Sequence, residues 1–132
     1  ETFMASSVTE THVCQTDDRI IILDCVCAAD GSFTDYALTT KFNGALDCIV
    51  TVPTATTLDA NWTLTLKDAN EVDVLLGRCA DMSAAVSQQI AIDKSTFPRR
   101  HITTDDTLTL GIADNTTESA AVQICLYYKA DE

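Results

Sequence analysis

The sequence predicts an all-β fold, an antiparallel β-sandwich of about seven to nine short strands. Three observations predict it. Apolar and polar residues alternate with a period of two through several short runs. Turn-forming residues punctuate those runs at close intervals. Thr, Val and Ile crowd the first half, where helix formers are scarce. A sandwich is favoured over a barrel because the central runs are apolar on both faces or cleanly one-sided, with no small-residue taper.

In chain order, Val8 to Cys14 is a weakly patterned first strand. Arg19 to Ala28 follows the Asp17-Asp18 turn and is apolar on both faces, as a central strand buried on each side would be. Asp30-Gly31-Ser32 reads as a turn, with Gly where a positive φ is wanted. Tyr36 to Phe42 places Tyr36, Leu38, Thr40 and Phe42 on one face. Asn43-Gly44 is a strong hairpin signal, so this run is expected to pair antiparallel with Leu46 to Val52, which Pro53 ends. Trp62, Leu64 and Leu66 alternate with Asn61, Thr63, Thr65 and Lys67. The polar turn Asp68-Ala69-Asn70-Glu71 is expected to return Val72 to Leu76 as the partner strand before Gly77. Asp81 to Gln89 suits a loop or a short helix capped by Asp81 or Ser83. Ile90 and Ile92 flank Ala91 in a short strand, and Ser95 to His101 is a loop containing Pro98. Thr107 to Ile112 and Ala121 to Lys129 close the fold. They turn Leu108, Leu110, Ile112, Val122, Ile124, Leu126 and Tyr128 inward, and Asp114 to Thr117 is expected to join them as a hairpin loop.

With 132 residues the chain suits one domain, expected as a flexible segment over 1–11 and a single β-sandwich over 12–132. The formal charge of −12 disfavours nucleic acid, whose binding depends on Lys and Arg contacts to phosphate. It suits a soluble protein that docks on a basic partner surface. The longest apolar run, Ile20 to Leu23, is far short of a membrane span. Neither a basic n-region nor an apolar h-region is visible, so no secretory signal is expected in these residues.

The six cysteines mostly sit in apolar strand-like runs, where thiols behave as small hydrophobes. Cys25 and Cys27 share a face of one strand and are poorly placed to bond each other. Reduced core thiols are the expectation, with a disulfide frame as the alternative. Cys25-Val26-Cys27 is too tight for a zinc knuckle, and no second pair complements it. Asp68, Asn70, Glu71 and Asp73 resemble a divalent-ion loop but lack its central Gly and distal bidentate Glu. Such residues more often serve the turn backbone itself. His12 and His101 are the only histidines; His101 lies near Asp105 and Asp106, but Gly-x-Ser-x-Gly is absent. No catalytic residue, cofactor or metal is expected. Asn61-Trp62-Thr63 and Asn115-Thr116-Thr117 match the glycosylation sequon, which matters only for a secreted chain. Trp62 could stack on a sugar, yet its place beside Leu64 and Leu66 makes it a core anchor.

The stretch from Asp59 to Asp81 (DANWTLTLKDANEVDVLLGRCAD) resembles a recurrent hairpin in small virion structural proteins of tailed bacteriophages. There an Asn-aromatic-x-[Leu/Val/Ile]-Thr-Leu-x-Asp strand turns into an Asp-Val-Leu-x-Gly strand. The matching positions are Asn61, Trp62, Leu64, Thr65, Leu66 and Asp68, then Asp73, Val74, Leu75 and Gly77. Leu108-Thr109-Leu110 and Val122 to Tyr128 also resemble the way those proteins end. Glu71 departs from the pattern, standing in the turn where these proteins often carry Gly, and the cysteine richness is not part of it.

The resemblance implies a β-sandwich on or near the capsid. Head decoration (cement) is the implied role: a non-enzymatic virion protein, assembled in the host cytoplasm, that bridges major capsid subunits. A homo-oligomer, with a trimer as the guess, goes with that role. The alternative is a tail, neck or fibre module that binds a receptor or glycan through Tyr36, Tyr127 or Phe97. For partner binding, Pro98, Arg99, Arg100 and His101 are the candidates, because they concentrate positive charge in an acidic chain and offer bidentate donors to carboxylates.

Overall fold

The computed structural model describes residues 5–15, 18–39, 44–75, 77–91, 101–102 and 107–130. Among these there is no helix. Nine strands form: β1 (Ser7–Gln15), β2 (Asp18–Val26), β3 (Tyr36–Ala37), β4 (Gly44–Pro53), β5 (Thr63–Lys67), β6 (Gln88–Ala91), β7 (His101–Ile102), β8 (Thr109–Ala113) and β9 (Ala121–Ala130). All their pairings are antiparallel.

One sheet has the order β1-β2-β9-β4-β6, with β7 sharing the β6 side of β4; the other has the order β3-β8-β5. The antiparallel sandwich is therefore the fold. Period-two alternation supplies the inner layer. Ile21, Leu23 and Cys25 on β2 and Val122, Ile124, Leu126 and Tyr128 on β9 are buried together with Leu64, Leu66, Leu108, Leu110 and Ile112 of the small sheet. Trp62, 1 % exposed, sits at the entry to β5 in the same cluster. Each such Leu or Ile contributes about 1.5–3 kcal/mol by leaving water.

β4 departs from strict alternation. Its register with β9 shifts between Leu46 and Cys48, leaving Asp47 as the extra residue of a bulge. The bulge lets Leu46 and Ile49, three positions apart, both face the core.

Several expected pairings are corrected. Tyr36–Ala37 does not pair with β4; it pairs with Leu110 and Thr109 of β8, and the Leu38 amide donates to the Leu108 carbonyl at 2.9 Å. Leu38, beside that pairing, is buried in the common core. Thr40 to Asn43, including most of that signal, lie outside the described residues.

The return after β5 does start antiparallel, with a bridge between Lys67 and Asp73 and the Val74 amide donating to Leu66 at 2.8 Å. It forms no strand, because Asp73 captures the backbone. Its Oδ1 accepts from the Leu66 and Leu75 amides and its Oδ2 from the Gly77 amide. The regular partner of β5 is β8. Asp114 to Thr117 is not a hairpin loop either, for β8 and β9 belong to different sheets and this segment crosses between them.

Segment 81–87 is a loop with no helix: Asp81 has φ 54°, and the Ser83 hydroxyl accepts the Ala85 and Val86 amides in an isolated turn. Ser7 to Thr11, expected in a flexible lead, are the first half of β1 and are in register with β2 from Ser7↔Val26 onward. His101, expected in a loop, opens β7 and pairs with Ala45.

Candidate functional site

Residues directly opposite across a strand pair project to the same side of a sheet, so the registers define the outer face of the large sheet. One row across it is Thr11, Ile22, Cys125, Val50 and Gln89; the next is Val13, Ile20, Tyr127, Cys48 and Ala91. Neither row carries a charge. Ile20, Ile22, Val50, Cys48 and Tyr127 are half-buried, and Cys125 is 8 % exposed. The neighbouring row holds Thr9, Asp24, Gln123 and Val52, where the Gln123 amide donates to Asp24 at 3.0 Å. Strands about 4.8 Å apart make this patch roughly 20 Å wide. A solvent-facing sheet surface normally carries polar residues on alternate positions. The apolar second face of β2 is half-buried at Ile20 and Ile22, and among the described strands only its sheet neighbours β1 and β9 pair with β2.

Two polar clusters join segments distant in the chain. On β1, Glu10 points toward the small sheet. Its Oε2 accepts from the Tyr36 hydroxyl, the Thr39 amide (2.8 Å) and the Thr39 hydroxyl (2.7 Å), and its Oε1 lies 3.3 Å from Nε2 of His12. Burial pushes the Glu10 carboxyl up, but the bonds from Tyr36 and Thr39 and the nearby His12 outweigh it and leave it below the usual glutamate value. Donation to Glu10, helped by burial, pushes the Tyr36 hydroxyl up to about 12, so the proton stays on the tyrosine.

At the β8–β9 crossover, Asp59 Oδ2 accepts from the Thr116 amide and hydroxyl, both at 2.8 Å, and Oδ1 accepts from the Thr117 hydroxyl. Asn115 donates from Nδ2 to the carbonyls of Gly31 (2.9 Å) and Thr117 (3.2 Å) and accepts the Asp59 amide at 2.9 Å. Asn115 is therefore bonded into three loops, and the sequon it heads serves the fold.

The candidate ion loop serves its own backbone: Asp68 Oδ1 accepts the amides of Asn70 (2.9 Å) and Val72 (3.0 Å), while Asp73 accepts the three named above. No group of three metal-ligating side chains occurs among the described residues. None of the six cysteines is disulfide-bonded. Cys25 and Cys79 are buried, and desolvation pushes both thiols up to about 12. Cys14 is exposed.

Of the sequence-predicted partner-binding residues, Pro98, Arg99 and Arg100 lie outside the described residues, as does Phe97; His101 is placed by its backbone on β7. Tyr36 is half-buried with its hydroxyl engaged by Glu10, and Tyr127 lies within the apolar outer face. The crevice lined by Thr51, Leu58, Trp62, Ser83 and Val122 has room for about one water. The outer face was visible in the sequence as the second apolar face of Arg19–Ala28, but alternation alone does not say which faces a fold covers.

No protein-family profile, curated protein or solved structure matches this chain.

Proposed function

We propose that the protein is a structural component of a phage virion, with no catalytic role. In this reading it is a capsid decoration protein that lies on the outer shell and stabilises contacts between major capsid subunits. The supporting observation is the pair of uncharged rows at the centre of the six-stranded sheet's outer face, which hold Ile20, Ile22, Val50, Cys125 and Tyr127, in a chain of net charge −12. Such a face loses little desolvation energy when covered, whereas the acidic remainder keeps the unbound protein soluble.

The test is co-sedimentation of the purified protein with expanded heads built from the major capsid protein of the same virus, together with the melting temperature of the heads. Binding that raises the melting temperature, and its loss in Ile22→Asp, is the expected result. Absence of binding removes the decoration role, and unchanged binding by Ile22→Asp removes this face from it.

A further inference from the structure

We infer that β1 pairs with β1 of a second copy across a two-fold axis at Thr11, fusing two six-stranded sheets into one. β1 is nine residues long and runs in unbroken register with β2 from Ser7↔Val26 to Gln15↔Asp18. Among the described residues no strand lies on its other side, and Ser7, Thr9, Thr11, His12 and Cys14 are exposed. Of the devices that protect an edge, β1 carries one inward-pointing charge, Glu10, but no Pro, no Lys and no bulge, and it is not short. The opposite margin differs: there the side of β4 is divided between the short strands β6 and β7.

The sequence of β1 is complementary to itself in one register. Antiparallel pairing centred on Thr11 uses the whole strand. It sets Glu10 opposite His12 twice, Thr9 opposite Val13 twice and Val8 opposite Cys14 twice, with no like charges facing. Centring on Glu10 opposes two carboxylates, and centring on His12 opposes two imidazoles. Pairings offset by a single residue put core-facing positions against outer-facing ones. Glu10 Oε1, in a side chain only 6 % exposed, already lies 3.3 Å from Nε2 of His12 in its own chain, and pairing at Thr11 adds the second copy's imidazole at the spacing of a cross-strand pair. A single edge that pairs with itself closes at two copies, so the symmetry is two-fold in place of the three-fold expectation. The uncharged row Thr11, Ile22, Cys125 and Val50 then continues across the axis into its own copy.

Sedimentation velocity on the purified chain, without capsids, tests this independently of the decoration role. The expected species has twice the 14.3 kDa chain mass. Thr11→Lys sets two ammonium groups face to face and is expected to weaken the dimer about tenfold or more while thermal unfolding stays cooperative. In a Cys14→Ser background, Thr11→Cys should cross-link to itself under mild oxidation. Thr9→Cys should do so only when mixed with Val13→Cys. A chain that stays monomeric at its highest soluble concentration overturns the inference, as does a dimer indifferent to Thr11→Lys. Equal self-cross-linking by Thr9→Cys and Thr11→Cys overturns the register.

Discussion

Replacing Gly31 by Ala should be among the most damaging single-methyl changes available to this protein, and Gly77→Ala is its internal control. Both glycines hold a left-handed backbone, with φ +87° and +73°. An L-residue there costs about 1–2 kcal/mol at either site. Ala also restricts the unfolded chain, which returns about 0.4–1 kcal/mol at either site. What separates them is space. A Cβ on Gly77 meets nothing within 4 Å, whereas one on Gly31 falls 2.6 Å from the backbone carbon and oxygen of Thr116. Thr116 cannot yield as a flexible side chain would, because its amide and hydroxyl are both tied to Asp59. Relieving the clash moves the 28–32 turn from the crossover, at an overpacking cost of about 1–3 kcal/mol. It also stretches the 2.9 Å bond from Asn115 to the Gly31 carbonyl, for about another 1 kcal/mol. The net expectation is a loss of about 3 kcal/mol for Gly31→Ala and about 0.5–1 kcal/mol for Gly77→Ala. In thermal unfolding these correspond to roughly 10 °C and 3 °C for a domain of this size. Urea titrations of the two variants beside the parent protein measure the difference directly. Losses that agree to within about 0.5 kcal/mol would refute the close approach of Gly31 to Thr116.

Asn115→Ala removes an acceptor and a donor that join three loops, and should cost about 2–3 kcal/mol in the same titration. Glu71 occupies φ 62° on an exposed turn, so Glu71→Gly should stabilise by about 0.5–1 kcal/mol, read as a higher urea midpoint. Because the folded Glu10 carboxyl titrates below its unfolded value of 4.5, its stabilisation is present above that pH and is lost as pH falls through the folded value. A melting-temperature series from neutral to acid pH should fall more steeply in the parent than in Glu10→Gln. With a thiol reagent at neutral pH, Cys14 should react first while Cys25 and Cys79 stay protected until unfolding, as peptide mapping by mass spectrometry will show.

The inward faces of β2, β5, β8 and β9 were legible because alternation is written into each strand on its own. Val122, Ile124, Leu126 and Tyr128 face the core as their spacing predicts. Pairing was less legible, because it depends on residues distant in the chain. Asn43-Gly44 signals a local reversal, yet Tyr36 and Leu38 find their partners on β8. Asp114-Asn115-Thr116-Thr117 reads equally well as a hairpin loop or as a crossover. What distinguishes the two is that β8 and β9 lie in different sheets, with the crossing segment tied to the Gly31 turn and to the Asp59 loop. β1 reads weakly because it is an edge strand, with Thr on one face and Glu10 and His12 on the other; its order comes from β2 and from the Glu10 bonds to Tyr36 and Thr39. The outer-face patch is half legible. Ile20 and Ile22 announce an apolar second face, but their partners across it, Cys125, Tyr127 and Val50, are brought there only by the strand order.

That strand order has a kinetic consequence. β9 lies in the middle of the large sheet, between β2 and β4, although it is the last strand in the sequence. Asp24 and Gln123, bonded across one of its flanks, are 99 residues apart. Until β9 is in place, β2 and β4 have no link to each other, and each exposes an unpaired flank. Folding therefore waits on long-range closure and belongs to the millisecond-to-second regime of β-rich domains. Before β9 is made, β2 and β4 are two open templates for aberrant pairing, and the arrival of Val122 to Tyr128 closes both at once.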